Sequence, residues 1–141
     1  MRILAVDPGE KRIGLALSDP TATLASPLQV LENVSRRTSA QAIAGLAGKH
    51  DCALIIVGQA LNAEGGTTES SRRAEKLSSA LRAKTAIPVI LWDEGGSTQR
   101  AQAAYREMGV PQKKRRGHLD QIAATLILQS YLDAMRTEEH P

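Results

Sequence analysis

The most constraining feature of this chain is an apolar run near the N-terminus that ends in a carboxylate. The run Ile3–Val6 is followed by Asp7, a turn with Pro8 and Gly9, and a second apolar run, Ile13–Leu17. The first run has the length and boundaries of a strand that is buried on both faces. The two runs are close enough to pair as a hairpin around Gly9. Asp7 is therefore expected where a central strand ends, and a carboxylate there is unfavourable unless it binds a metal, a proton or a cationic group.

Length and composition indicate one ordinary domain that spans residues 1–141, which is enough chain to bury a core. No charged-then-apolar leader opens the sequence, and no apolar run approaches the roughly 18 residues needed to cross a bilayer. We therefore expect a cytoplasmic protein that does not enter a membrane. The single cysteine, Cys52, excludes an internal disulfide and is expected to be a small buried hydrophobic side chain.

The basic residues are clustered, although the formal net charge is only +3. Such clusters suit a polyanion such as nucleic acid. The other interpretation is a solvated loop or helix face. For each pair of basic residues the solvated face is favoured, whereas for the run of four the solvated face and nucleic-acid binding are equally favoured. The clusters are Lys11 with Arg12, Arg36 with Arg37, Arg72 with Arg73, and the run of Lys113, Lys114, Arg115 and Arg116. Because aromatic side chains are scarce, we expect binding through the nucleic-acid backbone and shape rather than through base stacking.

Alternating strand-like and helix-like patterns predict an α/β fold with a mixed sheet covered by helices. The predicted strands are Ile3–Val6, Ile13–Leu17, Thr23–Val30 with a possible distortion at Pro27, Ala53–Val57 and Pro88–Trp92. The predicted helices are Thr38–Gly48, Glu69–Lys84, a segment from Ser97 or Thr98 to Met108, and Leu119–Met135. A loop rich in glycine and polar residues is expected over Gly58–Thr68, and a basic loop is expected over Pro111–Gly117.

Three acidic positions are expected to converge at one edge of the sheet. Asp7 ends the first strand, Asp93 and Glu94 end the last, and parallel strands bring their carboxyl ends to the same edge. Asp120 opens a helical stripe that continues through the small residues Ala123 and Ala124, so it is expected to face the sheet. Gathered carboxylates repel one another unless a cation lies between them, and their oxygens suit Mg²⁺ or Mn²⁺. One or two such ions would support hydrolysis of a phosphodiester.

Each of these acids also has a purely structural interpretation. Asp7 would cap the turn at Gly9, Asp93 would be a solvated strand end, Glu94 would pair with a basic residue, and Asp120 would favour a helix N-terminus. Asp19 lies in Ser-Asp-Pro and is expected to be a turn residue.

Four motifs in this order resemble the YqgF/RuvX family over nearly the whole chain. They are Ala5–Ala16, Ile56–Leu61, Trp92–Glu94 with Ser97–Thr98, and Leu119–Ala124. The resemblance implies an RNase H-like fold, a five-stranded mixed sheet flanked by helices. It also implies a metal-dependent nuclease related to Holliday junction resolvases, with a role in maturing the 5′ end of 16S ribosomal RNA precursors. The acidic residues proposed for the family correspond to Asp7, Glu94 and Asp120.

Two departures from the family pattern concern the grip on substrate rather than the carboxylates. Gly95–Gly96 stand where the family usually has Arg-Leu, and Val57–Leu61 lacks the proline of the family's Val-Gly-Leu-Pro-Leu pattern.

The leading hypothesis is an endonuclease that uses Mg²⁺ or Mn²⁺ on branched DNA or precursor ribosomal RNA. A non-catalytic nucleic-acid-binding or ribosome-assembly factor is the alternative, and a phosphate-binding module like those of actin or sugar kinases is a third. Resolution of a junction would favour a homodimer.

Overall fold

The computed structural model describes residues 1–93 and the backbone of residues 112–139, with side-chain surroundings for residues 1–93 and 122–136. The predicted helix from Ser97 or Thr98 to Met108 lies outside the described residues. The described strands are β1 (Arg2–Pro8), β2 (Arg12–Ser18), β3 (Ala25–Glu32), β4 (Cys52–Gln59) and β5 (Val89–Asp93). The described helices are α1 (Arg36–Lys49), α2 (Glu69–Arg82) and α3 (Gln112–Glu139).

The strands form one five-stranded sheet in the order β3-β2-β1-β4-β5. β2 pairs antiparallel with β1 and β3, whereas β4 pairs parallel with β1 and β5. The first two strands therefore form the expected hairpin, and β1 lies at the centre of the sheet. The mixed sheet predicted from the sequence is confirmed, and each predicted strand is present with slightly different ends.

Alternation along the strands separates the core into two layers. One face of the sheet packs against α1 and α2, and the other packs against α3. The first layer includes Leu4, Val6, Ile13, Leu15, Ile43, Ile55, Val57, Leu77 and Leu81. The second includes Ile3, Ala5, Ala16, Ile56, Ala124, Ile127, Leu128 and Leu132. Because each strand of the interior contributes to both layers, its sequence is continuously apolar rather than alternating.

Polar side chains of α3 attach the helix to the sheet near both of its edge strands, β3 and β5. The N–H of Ala25 donates to Oε1 of Gln129 (3.0 Å), and Nε2 of Gln129 donates to the carbonyl oxygen of Thr23 (3.1 Å). The indole N–H of Trp92 donates to Oγ of Ser130 (2.9 Å), and its ring meets that of Tyr131 edge-on at 5.2 Å. These contacts fix the position of α3 on the sheet.

The prediction of a basic loop over Pro111–Gly117 is wrong, because α3 begins at Gln112 rather than at Leu119. The run Lys113–Arg116 therefore lies in a helix. Lysine, arginine and glutamine are good helix formers, and one interior glycine costs only about 1 kcal/mol relative to alanine, so Gly117 does not end the helix.

Two smaller expectations are met. Pro27 lies on the edge strand β3, next to an irregularity in its pairing with β2, where a proline is tolerated. Cys52 is buried, and burial raises the pKa of its thiol. Across the described residues, the structure has no helix that is both long and apolar enough to cross a membrane.

Asp19 organises the turn between β2 and β3, as expected. Its Oδ1 accepts from the N–H of Thr23 (2.8 Å) and of Leu24 (2.9 Å), and Thr21 donates its hydroxyl to Oδ2. The Thr21 hydroxyl bond, followed by those two backbone bonds, lowers the pKa of Asp19 below its ordinary value. The ionised carboxylate therefore holds a turn that includes Ala22 at a positive φ of 55°.

Asp19→Asn is expected to lower stability at neutral pH but not in acid. The folded-state pKa lies below the ordinary value of 3.8, so the charge stabilises the fold above that pH. That stabilisation is lost as the pH falls below 3.8 towards the folded-state value. Urea unfolding of both proteins across the acid range measures this difference, and a constant gap between them would contradict it.

Two buried serines of α2 are expected to respond oppositely to alanine. Among the described residues, the Ser78 hydroxyl has no hydrogen-bond partner, whereas Ser71 exchanges hydrogen bonds with Thr68 at the helix N-terminus. Ser78→Ala should raise the free energy of unfolding by about 1 kcal/mol. Ser71→Ala should lower it by about 1 kcal/mol. Chemical denaturation tests both, and a loss of stability in Ser78→Ala would refute the first expectation.

Candidate active site

Asp7 occupies the penultimate position of β1 and is half-buried. Because side chains alternate along a strand, Asp7 continues the row of Ile3 and Ala5, which pack beneath α3. Its neighbour Pro8 belongs to the other row, with Leu4 and Val6. The prediction that Asp7 lies near the end of a central strand is confirmed, and the fold directs it towards the α3 layer.

Glycines lie beside Asp7 on both neighbouring strands. Gly14 of β2 is its register partner. On β4, Val57 pairs with Val6, and Gly58 is the next residue. Neither glycine has a side chain to fill the space beside the carboxylate. At the positions level with Asp7, β2 and β4 therefore contribute no side chain, while their backbones pair with β1 in the sheet.

The turn after Asp7 is fastened by Asn33, a residue that sequence reasoning missed. Nδ2 of Asn33 donates to the carbonyl oxygens of Gly9 (2.9 Å) and Glu10 (3.2 Å). Its Oδ1 accepts from the hydroxyl of Ser39 in α1 (2.9 Å). Gly9 is required here, since a Cβ would lie 2.2 Å from the carbonyl oxygen of Arg12. No local signal marks Asn33, because its partners in the turn precede it by more than twenty residues.

The side chains of the other two predicted acids, Glu94 and Asp120, lie outside the described part of the structure. Glu94 lies outside the described residues, one position after Asp93, which is exposed at the end of β5. Asp120 lies on the α3 backbone, one turn before Ala123 and Ala124, both of which are buried. Among the described side chains, no group of three histidine, cysteine or acidic residues forms a metal site. The convergence of Asp7, Glu94 and Asp120 stays a prediction.

The predicted basic residues occupy several elements. Lys11 is exposed and Arg12 is half-buried where β2 begins. Arg72 is exposed on α2, and Arg73 lies 3.6 Å from Glu69. The backbones of Lys113, Lys114, Arg115 and Arg116 lie at the start of α3.

A cleft of about 310 Å³ opens on the α1 and α2 side of the same sheet edge. Its lining includes Pro8 at the end of β1, Glu10 from the β1–β2 turn, Arg36 from α1 and Arg73 from α2. We call it the Arg36–Arg73 cleft. In the sequence these two arginines belong to different pairs, Arg36 with Arg37 and Arg72 with Arg73. Only the fold brings one member of each pair to a common cleft.

The family model described as "RuvX: Holliday junction resolvase" matches residues 1–134. The chain belongs to the RuvX family. A "Putative pre-16S rRNA nuclease" of Syntrophus aciditrophicus is 41% identical over 141 residues, which cover 100% of this chain and 94% of that protein. A relative with the same name from Anaeromyxobacter is 38% identical over 133 residues, which cover 94% and 97% of the two chains. The expected family is confirmed, and it is a family of nucleases.

Solved structures confirm the RNase H-like fold. Thermus thermophilus RuvC, solved in complex with a Holliday junction substrate, superposes with a TM-score of 0.56 at 17% identity and covers 97% of each chain. The Fowlpox virus resolvase in complex with Holliday junction DNA gives a TM-score of 0.57 at 15% identity, covering 96% of this chain and 99% of that one. At these identities, the likeness concerns the fold.

Asn33→Ala is expected to lower the free energy of unfolding by about 1–3 kcal/mol, because the bonds to the turn and to Ser39 are lost together. Ser39→Ala should be milder, since the Asn33 amide still holds the turn. The double variant should lose less than the sum of the single losses, because both changes remove the same bond. Denaturation of all four proteins measures the coupling, and strictly additive losses would show that the pair is not linked.

Proposed function

We propose that this protein is a divalent-metal-dependent endonuclease that hydrolyses phosphodiester bonds in structured nucleic acid. In this proposal Asp7, Glu94 and Asp120 hold Mg²⁺ or Mn²⁺ at the C-terminal edge of β1 and β5. The single observation that carries it is the position of Asp7, half-buried on the α3 layer between two glycines. A carboxylate in that position has a backbone fixed by the sheet and no side chain beside it from the level positions of β2 and β4.

The course of α3 supports the inclusion of Asp120. Gln129 binds Ala25 at the start of β3, and Ala25 pairs with Ser18 of β2. The hydroxyl of Ser18 in turn accepts from the N–H of Ile3 (2.8 Å) at the start of β1. Position 120 precedes Gln129 by about 13 Å of helix rise. Ile3 and Asp7 are separated by a similar distance, about 13 Å along the strand. A helix that runs antiparallel to β1 would bring position 120 to the level of Asp7, and the proposal assigns this direction to α3.

The donor chemistry fits a hard cation. Asp7 is a carboxylate, and carboxylate oxygens are preferred by Mg²⁺ and Mn²⁺ over the sulfur and imidazole ligands of zinc sites. The one cysteine, Cys52, is buried in the opposite layer, at the other end of β4. When bound, the cation would neutralise phosphate charge and make water a stronger nucleophile. The three carboxylates would fix its position through the strand ends and the helix that carry them.

Backbone contacts are the proposed mode of substrate binding. Trp92 is engaged with Ser130 and Tyr131, so its ring is part of the α3 attachment rather than an open platform for bases. Basic side chains neutralise phosphates in any sequence and make binding sensitive to salt. The proposed phosphate contacts are Lys11, Arg12, Arg72, Arg73 and the run Lys113–Arg116.

The substrate class is inferred from relatives and structural neighbours. Close relatives carry the name of a pre-16S ribosomal RNA nuclease, and resolvases of the same fold were solved with Holliday junctions. We therefore propose precursor ribosomal RNA or a four-way junction as substrate. Cleavage of two strands at related positions would require a symmetric pair of active sites, and hence a homodimer on a junction.

Asp7→Asn and Asp120→Asn are expected to reduce cleavage by about 100-fold or more, the loss typical of removing one group that stabilises charge in a transition state. Cleavage of a four-way DNA junction and of a 16S precursor is measured with Mn²⁺ and again with excess EDTA. Asp51→Asn is the matched control, because Asp51 is an exposed aspartate between α1 and β4, at the other edge of the sheet.

Undiminished cleavage by both site variants, or equal cleavage in EDTA, would refute the metal-dependent mechanism. Tight binding of either substrate by highly purified protein without any cleavage would instead support the non-catalytic binding factor. Activity on only one of the two substrates identifies the class on which the enzyme acts.

A further inference from the structure

The Arg36–Arg73 cleft contains a cation placed against the electrostatics of its own helix. Arg36 and Arg37 open α1, whose first turn has no acidic residue. Positive charge at a helix N-terminus is unfavourable, because the backbone dipoles already make that end positive. Among the described side chains, none forms an ion pair with Arg36. The helix dipole therefore disfavours this cation, and no ion pair in the described part of the chain offsets the effect.

Arg73 supplies a second cation from the other helix. Its partner Glu69 is 82% exposed, and the nitrogen–oxygen distance is 3.6 Å. Ion pairs in such solvated positions contribute little, so Arg73 exchanges this partner readily for a stronger anion. The side chain is itself only 29% exposed, which limits the number of positions it can adopt beside the cleft.

The cleft adjoins the proposed catalytic carboxylate without sharing a face with it. Pro8 lines the cleft and follows Asp7 directly in β1. Since adjacent strand residues point to opposite faces, Asp7 and the cleft lie on the two sides of one strand end. Asn33 also lines the cleft, and its hydrogen bonds hold the turn that follows Asp7 and Pro8 in place.

We propose that the Arg36–Arg73 cleft binds a backbone phosphodiester of the nucleic-acid substrate, away from the bond that is cleaved. Arginine presents several N–H donors in a planar fork that matches phosphate oxygens. Glu10 also lines the cleft, and its carboxylate weakens the attraction for phosphate. This assignment rests on the proposed function for its ligand, but it concerns binding and not the cleavage step.

The test measures binding of a labelled four-way DNA junction and a labelled 16S precursor in EDTA by fluorescence anisotropy at several salt concentrations. Arg36→Gln and Arg73→Gln should each raise Kd by about tenfold, as expected for the loss of a charged hydrogen bond. Each should also reduce the slope of log K against log salt concentration by about 1. Glu10→Gln should lower Kd.

Arg37→Gln is the matched control. Arg37 carries the same charge on the same helix turn, is exposed and does not line the cleft. Its Kd and salt slope should stay near those of the wild type. Thermal unfolding verifies that the variants fold, and Arg36→Gln should be as stable as the wild type or slightly more stable, because a cation is removed from the positive helix end.

The outcomes separate this inference from the proposed function. If the Arg36 and Arg73 variants bind like Arg37→Gln while Asp7→Asn abolishes cleavage, the cleft is not a binding site and the nuclease proposal stands. If the cleft variants weaken binding while Asp7→Asn cleaves normally, the cleft stands and the proposed catalytic site fails. Failure of the wild-type protein to bind either probe overturns both.

Discussion

The central position of β1 is the constraint on which the rest of the structure depends. β1 is hydrogen-bonded to β2 on one side and to β4 on the other, and its residues Ile3–Val6 are fully buried. A strand held in this way cannot slip by one residue without exchanging its two buried rows, which would be severely destabilising. The same alternation that buries the apolar residues therefore fixes Asp7 on the α3 layer and Pro8 on the opposite one.

Elements with strong local patterns were predictable from the sequence. The continuous apolar runs of β1, β2 and β4 predicted buried strands, because a strand covered on both faces has no polar alternation. Asp7 was predictable for the same reason, since it ends such a run immediately before a turn. The start of α3 was not, because the residues before Leu119 are polar and form a helix through propensity, without an apolar stripe that reveals it.

The contacts that shape the site were hidden because they join distant parts of the chain. Asn33 holds a turn that lies more than twenty residues earlier, and Gln129 binds a strand more than one hundred residues earlier. Neither residue has a spacing that marks it. Arg36 and Arg73 likewise belong to two separate sequence pairs, each of which is typical of a solvated helix face. Their common cleft exists only because α1 and α2 pack side by side on one face of the sheet.

For the proposed metal-dependent nuclease, the placement of the Arg36–Arg73 cleft on the face opposite Asp7 would have a physical advantage. Carboxylates attract metal cations and guanidinium groups alike, so an arginine beside Asp7 would form an ion pair and compete with the metal. Arg36 and Arg73, on the opposite face, avoid this competition, because the strand and its buried row at Val6 and Pro8 lie between them and the carboxylate. A nucleic-acid backbone that passes over the end of β1 would nevertheless meet both faces of the sheet. In the proposed mechanism, the edge of β1 would thus hold one polyanion through cations on one face and present it on the other face to water activated by a carboxylate-held metal.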